Sequence, residues 1–253
     1  MRRLNFVVAG VQKCGTSSLW SYLNQHPCLS LASPKETHFF DNELVDWRDP
    51  DYGILHAMFD SPREGQLLGE ATPITFYWTP AQARLFRYAP DIKIILIFRD
   101  PIERAYSGWR MGWSQGWDTL TFSEAIRAGR LRILDESEQP GFSRFFSVVE
   151  RGFYGRQLKQ LLKLFSLDQM LFVRSEDLIT SHARQLTRIA DFLKTPPFPD
   201  LPQESINKAT KVAYPSQLTE EDSQYLARIY RNDLLEFADI SKVDVSKWRT
   251  LRG

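Results

Sequence analysis

The sequence predicts an α/β fold, in which a P-loop-like parallel β-sheet is covered by helices on both faces. Short apolar segments alternate with amphipathic ones along the chain, which is typical of repeated βα units. The segment 92–98 is a nearly continuous β-branched run, as in a strand buried on both faces. Of the 253 residues 43% are hydrophobic and 13% aromatic, so the chain can bury a sizeable core and wholesale disorder is excluded.

Each predicted element has its own signal in the sequence. Strands are short apolar runs, whereas helices show apolar residues at the i, i+3, i+4, i+7 spacing or a capping pattern at their start. The first helix ends before Pro27 because proline cannot continue it. In chain order the predicted elements are strand Leu4–Ala9, helix Thr16–Gln25, helix Thr79–Tyr88, strand Ile92–Phe98, a helix from Pro101, a helix capped by Thr121 and Glu124, a helix with the apolar stripe Leu158, Leu161, Leu162 and Phe165, strand Gln169–Arg174, a helix with the stripe Leu186, Ile189, Ala190 and Leu193, and a last helix capped by Thr219 and Asp222.

Charge and cysteine content exclude several classes of protein. The 32 Lys and Arg residues against 31 Asp and Glu give a net charge of +1, which argues against binding nucleic acid through a bulk field. Cys14 and Cys28 are too few for a disulfide framework and fit a reducing compartment. No apolar stretch approaches the ~20 residues that span a bilayer. We therefore expect a cytoplasmic, soluble protein with a single domain over residues 1–253; the sequence does not indicate its oligomeric state.

The loop between the first strand and the first helix, GVQKCGTS, is the sharpest local signal. Such a loop presents backbone N–H groups and a helix N-terminus to an anion, as in a phosphate-binding loop. Gly10, Gly15 and Ser17 fit the nucleotide-triphosphatase pattern G-x-x-x-x-G-K-[ST], but Thr16 occupies the lysine position and a lysine lies three residues earlier, at Lys13. The alternative is an ordinary βα turn with glycine at positive φ and threonine as a cap.

The displaced lysine argues against a magnesium-dependent triphosphatase, which uses its lysine beside Mg²⁺ on the β- and γ-phosphates. No metal-binding aspartate is evident at the end of a second strand, where Arg99 precedes Asp100. A cation at that position favours a second anion over a metal ion. We therefore expect a metal-independent site.

Arg99 and Ser107 are candidates for that second anion site. Arg99 lies at the predicted carboxyl end of the most apolar strand, where open α/β sheets bind ligands. Arginine offers a forked set of donors to phosphate, and Ser107, about two turns into the helix that follows Pro101, can add a hydroxyl. The alternative is that Arg99 pairs with a neighbouring acid and Ser107 is solvated.

Taken together, these motifs resemble those of the sulfotransferases that use 3′-phosphoadenosine 5′-phosphosulfate (PAPS). The resemblance is closest to the branch with the heparan sulfate O- and N-sulfotransferases and their bacterial relatives, and it extends over nearly the whole chain. It implies the sulfotransferase fold and sulfuryl transfer. The matching segments are Gly-x-x-Lys-x-Gly-Thr at residues 10–16, Lys-Glu-Thr-His-Phe-Phe-Asp at 35–41, Arg-Asp-Pro-x-x-Arg-x-x-Ser at 99–107, Arg-Gly-Phe-Tyr at 151–154, Ser-Glu-Asp-Leu at 175–178 and the end from Tyr230 to Trp248.

The resemblance also implies which residues bind the donor PAPS and the product 3′-phosphoadenosine 5′-phosphate (PAP). Two departures from the heparan enzymes stand out: these often carry Arg at the position of Ser17, and their Lys-Gly-Arg loop has no clear match. The implied contacts are Lys13, Cys14, Gly15, Thr16 and Ser17 to the 5′-phosphosulfate, Arg99 and Ser107 to the 3′-phosphate, Lys208 or Lys211 as a cover that is alternatively a solvated loop lysine, and Tyr154 beside the cofactor or alternatively in the core.

Sulfuryl transfer needs a base for the acceptor hydroxyl and stabilisation of charge at the leaving phosphate. Within the resemblance, Lys13 offsets that charge and Glu36 is the general base, with a pKa that Phe39 and Phe40 are expected to raise. His38 is the rival base, or else orients Glu36 or substrate. A nucleophilic thiol in the GVQKCGTS loop has no assignable partner base.

The acceptor is poorly specified by the sequence. Trp109, Trp113 and Trp117, four residues apart, and the cluster Phe76–Trp78 can either line an acceptor site or pack in the core. We expect a hydroxyl, with an amine as the weaker candidate, on a small metabolite or glycan, and neither nucleic acid nor membrane as partner. The competing functions are a P-loop kinase of small molecules and a non-catalytic nucleotide-binding protein.

Overall fold

A computed structural model of the chain describes residues 2–132, 142–203 and 214–252. Helices and strands alternate along these residues, as the sequence predicts. The strands are β1 (Phe6–Gly10), β2 (Leu29–Leu31), β3 (Leu67–Glu70), β4 (Lys93–Phe98) and β5 (Met170–Arg174), and the helices are α1 (Thr16–Leu23), α2 (Tyr52–His56), α3 (Thr79–Tyr88), α4 (Pro101–Ser114), α5 (Phe122–Arg132), α6 (Tyr154–Leu161), α7 (Ser175–Thr180), α8 (His182–Leu193), α9 (Glu220–Ser241) and α10 (Arg249–Arg252).

The five strands form one parallel sheet in the order β2-β3-β1-β4-β5. Strand β1 is central, with Val7 opposite Glu70 of β3 on one side and Ile94 of β4 on the other. All of β1 and residues 94–98 of β4 are buried, because helices flank the sheet. The prediction of an α/β fold with a parallel sheet is confirmed.

The chain divides into two compact units, which are described separately. The first comprises Met1–Phe98 and Lys159–Asn207, and the second comprises Arg99–Leu158 and Lys208–Gly253. The first unit contains the whole sheet. The single domain over residues 1–253 stays a prediction.

An aromatic core and two capping boxes organise the second unit. Trp109, Phe122 and Tyr230 are fully buried in one cluster. The Thr121 N–H donates to Glu124 Oε2 (2.9 Å) and the Glu124 N–H donates to Thr121 Oγ1 (3.4 Å) ahead of α5, and the Thr219 side chain accepts from the Asp222 N–H ahead of α9. Both predicted capping boxes are therefore present, and each satisfies N–H groups that a helix start leaves without an intrahelical partner.

The two strands that sequence patterns miss are the short ones, β2 and β3. With three and four residues, they are too brief for an apolar run to stand out from its surroundings. Strand β3 joins the sheet beside β1, and this pairing brings Glu70 to the carboxyl edge of the sheet. Helix α4 ends at Ser114, so Trp117 lies beyond the helix that was considered for it.

Candidate functional site

The loop after β1 folds back on the sheet edge and then starts α1. The Val11 N–H donates to the Ile97 carbonyl of β4 (2.9 Å), and the Cys14 N–H donates to the Val11 carbonyl (3.1 Å). Lys13 and Gly15 both have positive φ, at 71° and 102°. The sign of φ thus alternates along residues 13–15, because Cys14 between them does not have a positive φ. Such alternation turns successive backbone N–H groups toward one side, which is the geometry of a backbone nest for anions.

Glycine is needed at two positions of this loop, for different reasons. At Gly10 an added Cβ would lie 2.7 Å from the Phe76 Cβ, so a side chain would clash with the residues after β3. At Gly15 the space is adequate, but the φ of 102° disfavours any residue with a Cβ. Close packing and backbone conformation thus explain both glycines of the predicted pattern.

The start of α1 is available to an anion. Gly15 occupies the N-cap position, and no side chain among the described residues caps this helix. Thr16 is buried, Ser17 is exposed and Lys13 is half-buried, whereas Cys14 is fully buried. Backbone N–H groups, a hydroxyl and an ammonium therefore belong to one short segment, and they suit a phosphate or sulfate group.

Glu36 is held between two cationic side chains of its own segment. Lys35 Nζ lies 2.8 Å from Glu36 Oε1, and His38 Nε2 lies 3.5 Å from Glu36 Oε2. The other ring nitrogen of His38, Nδ1, lies 3.0 Å from Oδ2 of the buried Asp41. The structure therefore brings both candidate bases together in one chain of ion pairs.

These ion pairs determine the proton affinities of the two candidate bases. Burial alone would raise the pKa of Glu36, but hydrogen bonds from His38 and Lys35 lower it to about 2. Hydrogen bonds to Asp41 and Glu36 raise the pKa of His38 to about 10. At neutral pH Glu36 is a carboxylate and His38 is an imidazolium.

The expectation that apolar neighbours raise the pKa of Glu36 is therefore wrong. The rings of Phe39 and Phe40 are buried and turn into an aromatic cluster with Trp47. The Glu36 carboxylate is bonded to His38 and Lys35 instead, and these hydrogen bonds, together with the attraction of opposite charges, outweigh desolvation.

Helix α3 braces the far end of this segment. Arg84 donates to the Phe40 carbonyl (2.9 Å) and pairs with both carboxylate oxygens of Glu43 (3.0 and 2.7 Å). The indole N–H of Trp78 also donates to Glu43 (2.5 Å). A two-point guanidinium–carboxylate pair fixes direction as well as distance, so the segment 36–43 is anchored on its C-terminal side.

A carboxyl group that sequence reasoning missed lies beside the Glu36 segment. Glu70, the last residue of β3, is fully buried, and its Oε2 accepts hydrogen bonds from Thr37 Oγ1 (3.2 Å) and Thr72 Oγ1 (2.6 Å). Burial raises the pKa of Glu70 to about 7, against hydrogen bonds that lower it. The available signal was an acidic residue that ends an apolar run, Leu67-Leu68-Gly69-Glu70.

In the second unit, Arg99 is paired with an acid in the first turn of α4. Its Nη2 lies 2.6 Å from Glu103 Oε2, with the Arg99 side chain 37% exposed. Its carbonyl accepts from the hydroxyl of Tyr154 (2.9 Å), which is fully buried against Phe237. Tyr154 thus packs in the core and fixes the backbone of Arg99; its contact with a cofactor stays a prediction.

The aromatic residues considered for an acceptor wall divide into core and surface. Trp109 is fully buried and its indole N–H donates to the Leu120 carbonyl (2.9 Å), and Phe76 is fully buried against Phe98. Trp117 is 44% exposed beside Phe145. Trp109 and Phe76 therefore belong to the core, whereas the exposed part of the Trp117 side chain is accessible to an acceptor.

Of the remaining predicted site residues, the structure describes one and not the other two. Ser107 lies in α4 and is half-buried, whereas Lys208 and Lys211 lie outside the described residues.

Within residues 2–132, 142–203 and 214–252, no group of three or more His, Cys, Asp or Glu side chains is arranged to hold a metal ion. In the same ranges, no helix is both long and apolar enough to cross a bilayer.

Comparison with known proteins connects this geometry to a family. The sulfotransferase domain family matches residues 4–251 of the chain. Human heparan sulfate glucosamine 3-O-sulfotransferase 3B1 is 34% identical over 189 residues, which are 74% of this chain and 45% of that protein. Caenorhabditis elegans bifunctional heparan sulfate N-deacetylase/N-sulfotransferase 1 is 27% identical over 196 residues, which are 77% of this chain and 22% of that protein.

The same fold occurs in a solved structure. The sulfotransferase from Alicyclobacillus acidocaldarius superimposes with a TM-score of 0.79 at 23% identity, covering 98% of this chain and all of that one. The chain therefore belongs to the sulfotransferase domain family. It spans less than half the length of the two curated relatives named above.

Proposed function

We propose that the protein is a sulfotransferase that transfers the sulfuryl group of PAPS to a hydroxyl group of a glycan or a small metabolite. The observation that carries the proposal is the GVQKCGTS loop, with two residues at positive φ and an uncapped helix start, in a chain whose residues 4–251 match the sulfotransferase domain family. The relatives named for heparan sulfate support a glycan acceptor.

The loop residues suit the donor. Lys13 carries the only formal charge of the GVQKCGTS segment, and the N–H groups at the start of α1 add partial positive charge. PAPS, when bound, supplies the sulfuryl group and a phosphate as leaving group. Lys13 would offset the charge that grows on that phosphate, and the buried hydroxyl of Thr16 would add a hydrogen bond. Arg99 and Ser107 remain our assignment for the 3′-phosphate, from the sequence resemblance.

Protonation favours Glu36 over His38 as the general base. With its pKa raised to about 10, His38 already holds a proton at neutral pH and cannot take another. Glu36 is ionised, but with a pKa of about 2 it is a weak base in its present contacts. We infer that the acceptor hydroxyl replaces one of the two cationic contacts of Glu36, which raises the proton affinity of the carboxylate as transfer begins.

The acceptor and the compartment complete the proposal. His38 is 56% exposed and positively charged beside Glu36, so it can meet an acceptor directly. We assign it the role of orienting the acceptor or Glu36. A cytoplasmic location is proposed from the cysteine content of the sequence, since two cysteines make no disulfide framework.

Titration calorimetry with PAP and with ATP, each with and without Mg²⁺, tests the donor assignment. We expect PAP to bind without metal and Lys13→Ala to weaken that binding, because Lys13 is the cation of the loop. Lys159→Ala, a lysine of α6 outside every segment assigned here, serves as the matched control. Tighter binding of ATP that depends on Mg²⁺ would instead support a P-loop kinase. Failure of both nucleotides to bind would contradict both assignments.

A labelled-donor assay tests transfer itself. The chain is incubated with sulfur-labelled PAPS and, in parallel, with desulfated heparan fragments and a pool of hydroxylated small molecules. Label in either acceptor supports a sulfotransferase and indicates its substrate class. Tight PAP binding without transfer to any acceptor would support a non-catalytic nucleotide-binding protein.

A further inference from the structure

The segment that carries Glu36 and His38 is held in an unfavourable backbone conformation. Glu36 has a φ of 63° and His38 a φ of 49°, and neither is glycine. Residues with a Cβ adopt such angles only where surrounding contacts compensate for them. Thr37 lies between the two, so whatever holds Thr37 also fixes the direction of the two side chains.

Thr37 is tied to the sheet by a buried hydrogen-bond network. The Phe39 N–H donates to Thr37 Oγ1 (3.4 Å), and Thr37 Oγ1 donates to Glu70 Oε2 (3.2 Å). Thr72 Oγ1 donates to the same oxygen (2.6 Å), and the Glu36 N–H donates to the Ala71 carbonyl (3.2 Å). Glu70 is thus the acceptor on which the two hydroxyl groups converge.

We propose that Glu70 is a positioning residue of the site: through the hydroxyl groups of Thr37 and Thr72, its buried carboxyl group holds the backbone that directs Glu36 and His38. The proposal rests on the proposed function for its catalytic consequence, but not for its structural one. Among the described residues, Glu70 itself makes no hydrogen bond with Glu36 or with a residue assigned to the donor; its partners are Thr37 and Thr72.

The environment of Glu70 fits this role. The residue is 0% exposed, and its second oxygen, Oε1, is buried without a hydrogen-bond partner among the described residues. An unpaired buried acceptor is costly, so it persists only where the rest of the site compensates for it. Burial raises the pKa of Glu70 to about 7, so the protonated, uncharged form is well populated at neutral pH, which reduces the negative charge beside Asp41.

Backbone hydrogen exchange tests the positioning role without donor or acceptor. Glu70→Ala removes the shared acceptor, so exchange at the Glu36 and Phe39 amides should speed up by about tenfold or more. Glu70→Gln keeps an oxygen acceptor and should stay within about threefold of the unchanged protein. His26→Ala is the matched control, because His26 is also buried and hydrogen-bonds twice, to the Cys28 N–H and the Pro196 carbonyl.

The outcomes of the exchange experiment separate local positioning from general stability. If Glu70→Ala speeds exchange at Glu36 and Phe39 no more than His26→Ala does, the proposal is wrong. If Glu70→Ala does not fold, Thr37→Val decides instead. It removes one hydroxyl and leaves Glu70 in place. Because the Phe39 amide loses its own acceptor in this variant, the Glu36 amide is the readout: its acceptor, the Ala71 carbonyl, is unchanged, and its exchange should speed up in Thr37→Val but not in Thr37→Ser. An unchanged Glu36 amide in Thr37→Val overturns the proposal.

Transfer kinetics test the catalytic consequence. In Glu70→Ala the kcat should fall by about tenfold or more, because the base is misdirected, while the Kd for PAP stays within about threefold. Glu70→Gln should restore most of the rate. A loss of PAP affinity equal to the loss of kcat would show a disrupted loop rather than a misplaced base, and would contradict the proposal. If the unchanged protein transfers no sulfuryl group, the proposed function fails while the exchange result still stands.

Discussion

Glu36 and His38 differ in what they can do with a proton, and this difference makes the base assignment testable. Glu36→Gln keeps shape and hydrogen bonding but cannot accept a proton at neutral pH. Transfer should therefore fall by about 10²–10⁴-fold, the usual effect of losing a general base. PAP affinity should barely change, because the assigned role of Glu36 is toward the acceptor. Rates come from the labelled-donor assay and affinities from calorimetry.

His38→Asn is the companion variant for the same assay. Asparagine can still hydrogen-bond but carries no charge, so we expect a smaller loss of transfer than in Glu36→Gln. If His38→Asn abolishes transfer while Glu36→Gln retains more than about a tenth of the rate, the two roles are reversed. Lys13→Ala should differ from both by losing PAP affinity and rate together.

Arg99 gives a second prediction at the scale of one side chain. Arg99→Ala should weaken PAP binding by roughly 2–4 kcal/mol if it binds the 3′-phosphate, as when one partner of a desolvated charge pair is removed. The loss should be smaller for adenosine 5′-phosphosulfate, which has no 3′-phosphate. Calorimetry with both nucleotides measures the difference.

Arg249→Ala is the control for Arg99→Ala. Arg249 is 42% exposed and pairs with Glu220 at 2.7 Å, so it resembles Arg99 and Glu103 in exposure and geometry. It should leave both affinities unchanged. Equal losses for the two nucleotides in Arg99→Ala would indicate that Arg99 has a structural role only.

The raised pKa values of Glu70 and His38 predict that the stability of the folded chain falls as pH rises, over one pH range for each residue. The folded chain binds the Glu70 proton more tightly than the unfolded chain, so the contribution of Glu70 is complete below the usual pKa of 4.5 and is lost as pH passes about 7. His38 contributes below 6.5 and loses that contribution toward about 10. Glu36 acts in the opposite direction, because its contribution is lost only as pH falls from 4.5 to about 2.

Urea unfolding between pH 5 and 9.5 measures these contributions. The free energy of unfolding of the unchanged protein minus that of Glu70→Gln should fall by at most about 3 kcal/mol between pH 5 and 8, because the pKa of Glu70 is raised from 4.5 to about 7. The corresponding difference in the free energy of unfolding between the unchanged protein and His38→Asn should change above pH 7 by only about 0.2–1 kcal/mol, because His38 is exposed and its ion pairs are screened. Differences that do not vary with pH would contradict both assignments.

At the scale of an element, the loop before α1 depends at Gly15 on backbone conformation rather than on side-chain volume. Gly15→Ala places a Cβ at a φ of 102°, which costs about 1–2 kcal/mol in stability and distorts the N–H groups at the start of α1. PAP binding should weaken as well. Gly65→Ala is the matched control, since its φ is 85° and no atom lies within 4 Å of the added Cβ.

Thermal unfolding and calorimetry compare the two glycine variants. Both should lose similar stability, whereas only Gly15→Ala should lose PAP affinity. Equal PAP affinities in the two variants would mean that the loop before α1 does not bind the nucleotide.

At the scale of the whole molecule, ligand binding should appear as added stability. A ligand that binds only the folded chain adds about 2.7 kcal/mol at 100 times its Kd. For a chain of this size, PAP without metal should then raise the Tm by roughly 5–10 °C. The Lys13→Ala variant should show a much smaller shift at the same concentration. A shift with ATP and Mg²⁺ that exceeds the shift with PAP would favour the kinase alternative.

The sequence by itself determined the alternating α/β order, both capping boxes and the glycine loop. These features depend on residues close together in the chain, such as Thr219 and Asp222, or Gly10 and Gly15, so spacing and residue type are sufficient to predict them. The same holds for the family resemblance, which follows from the order of short motifs.

Only the tertiary structure decided the chemistry around Glu36. Its pKa follows from whether Lys35 and His38 or the neighbouring aromatic rings face the carboxylate, and local sequence allowed either. Glu70 became part of the site because the four-residue β3 pairs with β1, a contact more than 60 residues apart in the chain. Proton affinity and strand register both depend on which distant groups meet, and that is fixed by packing rather than by local pattern.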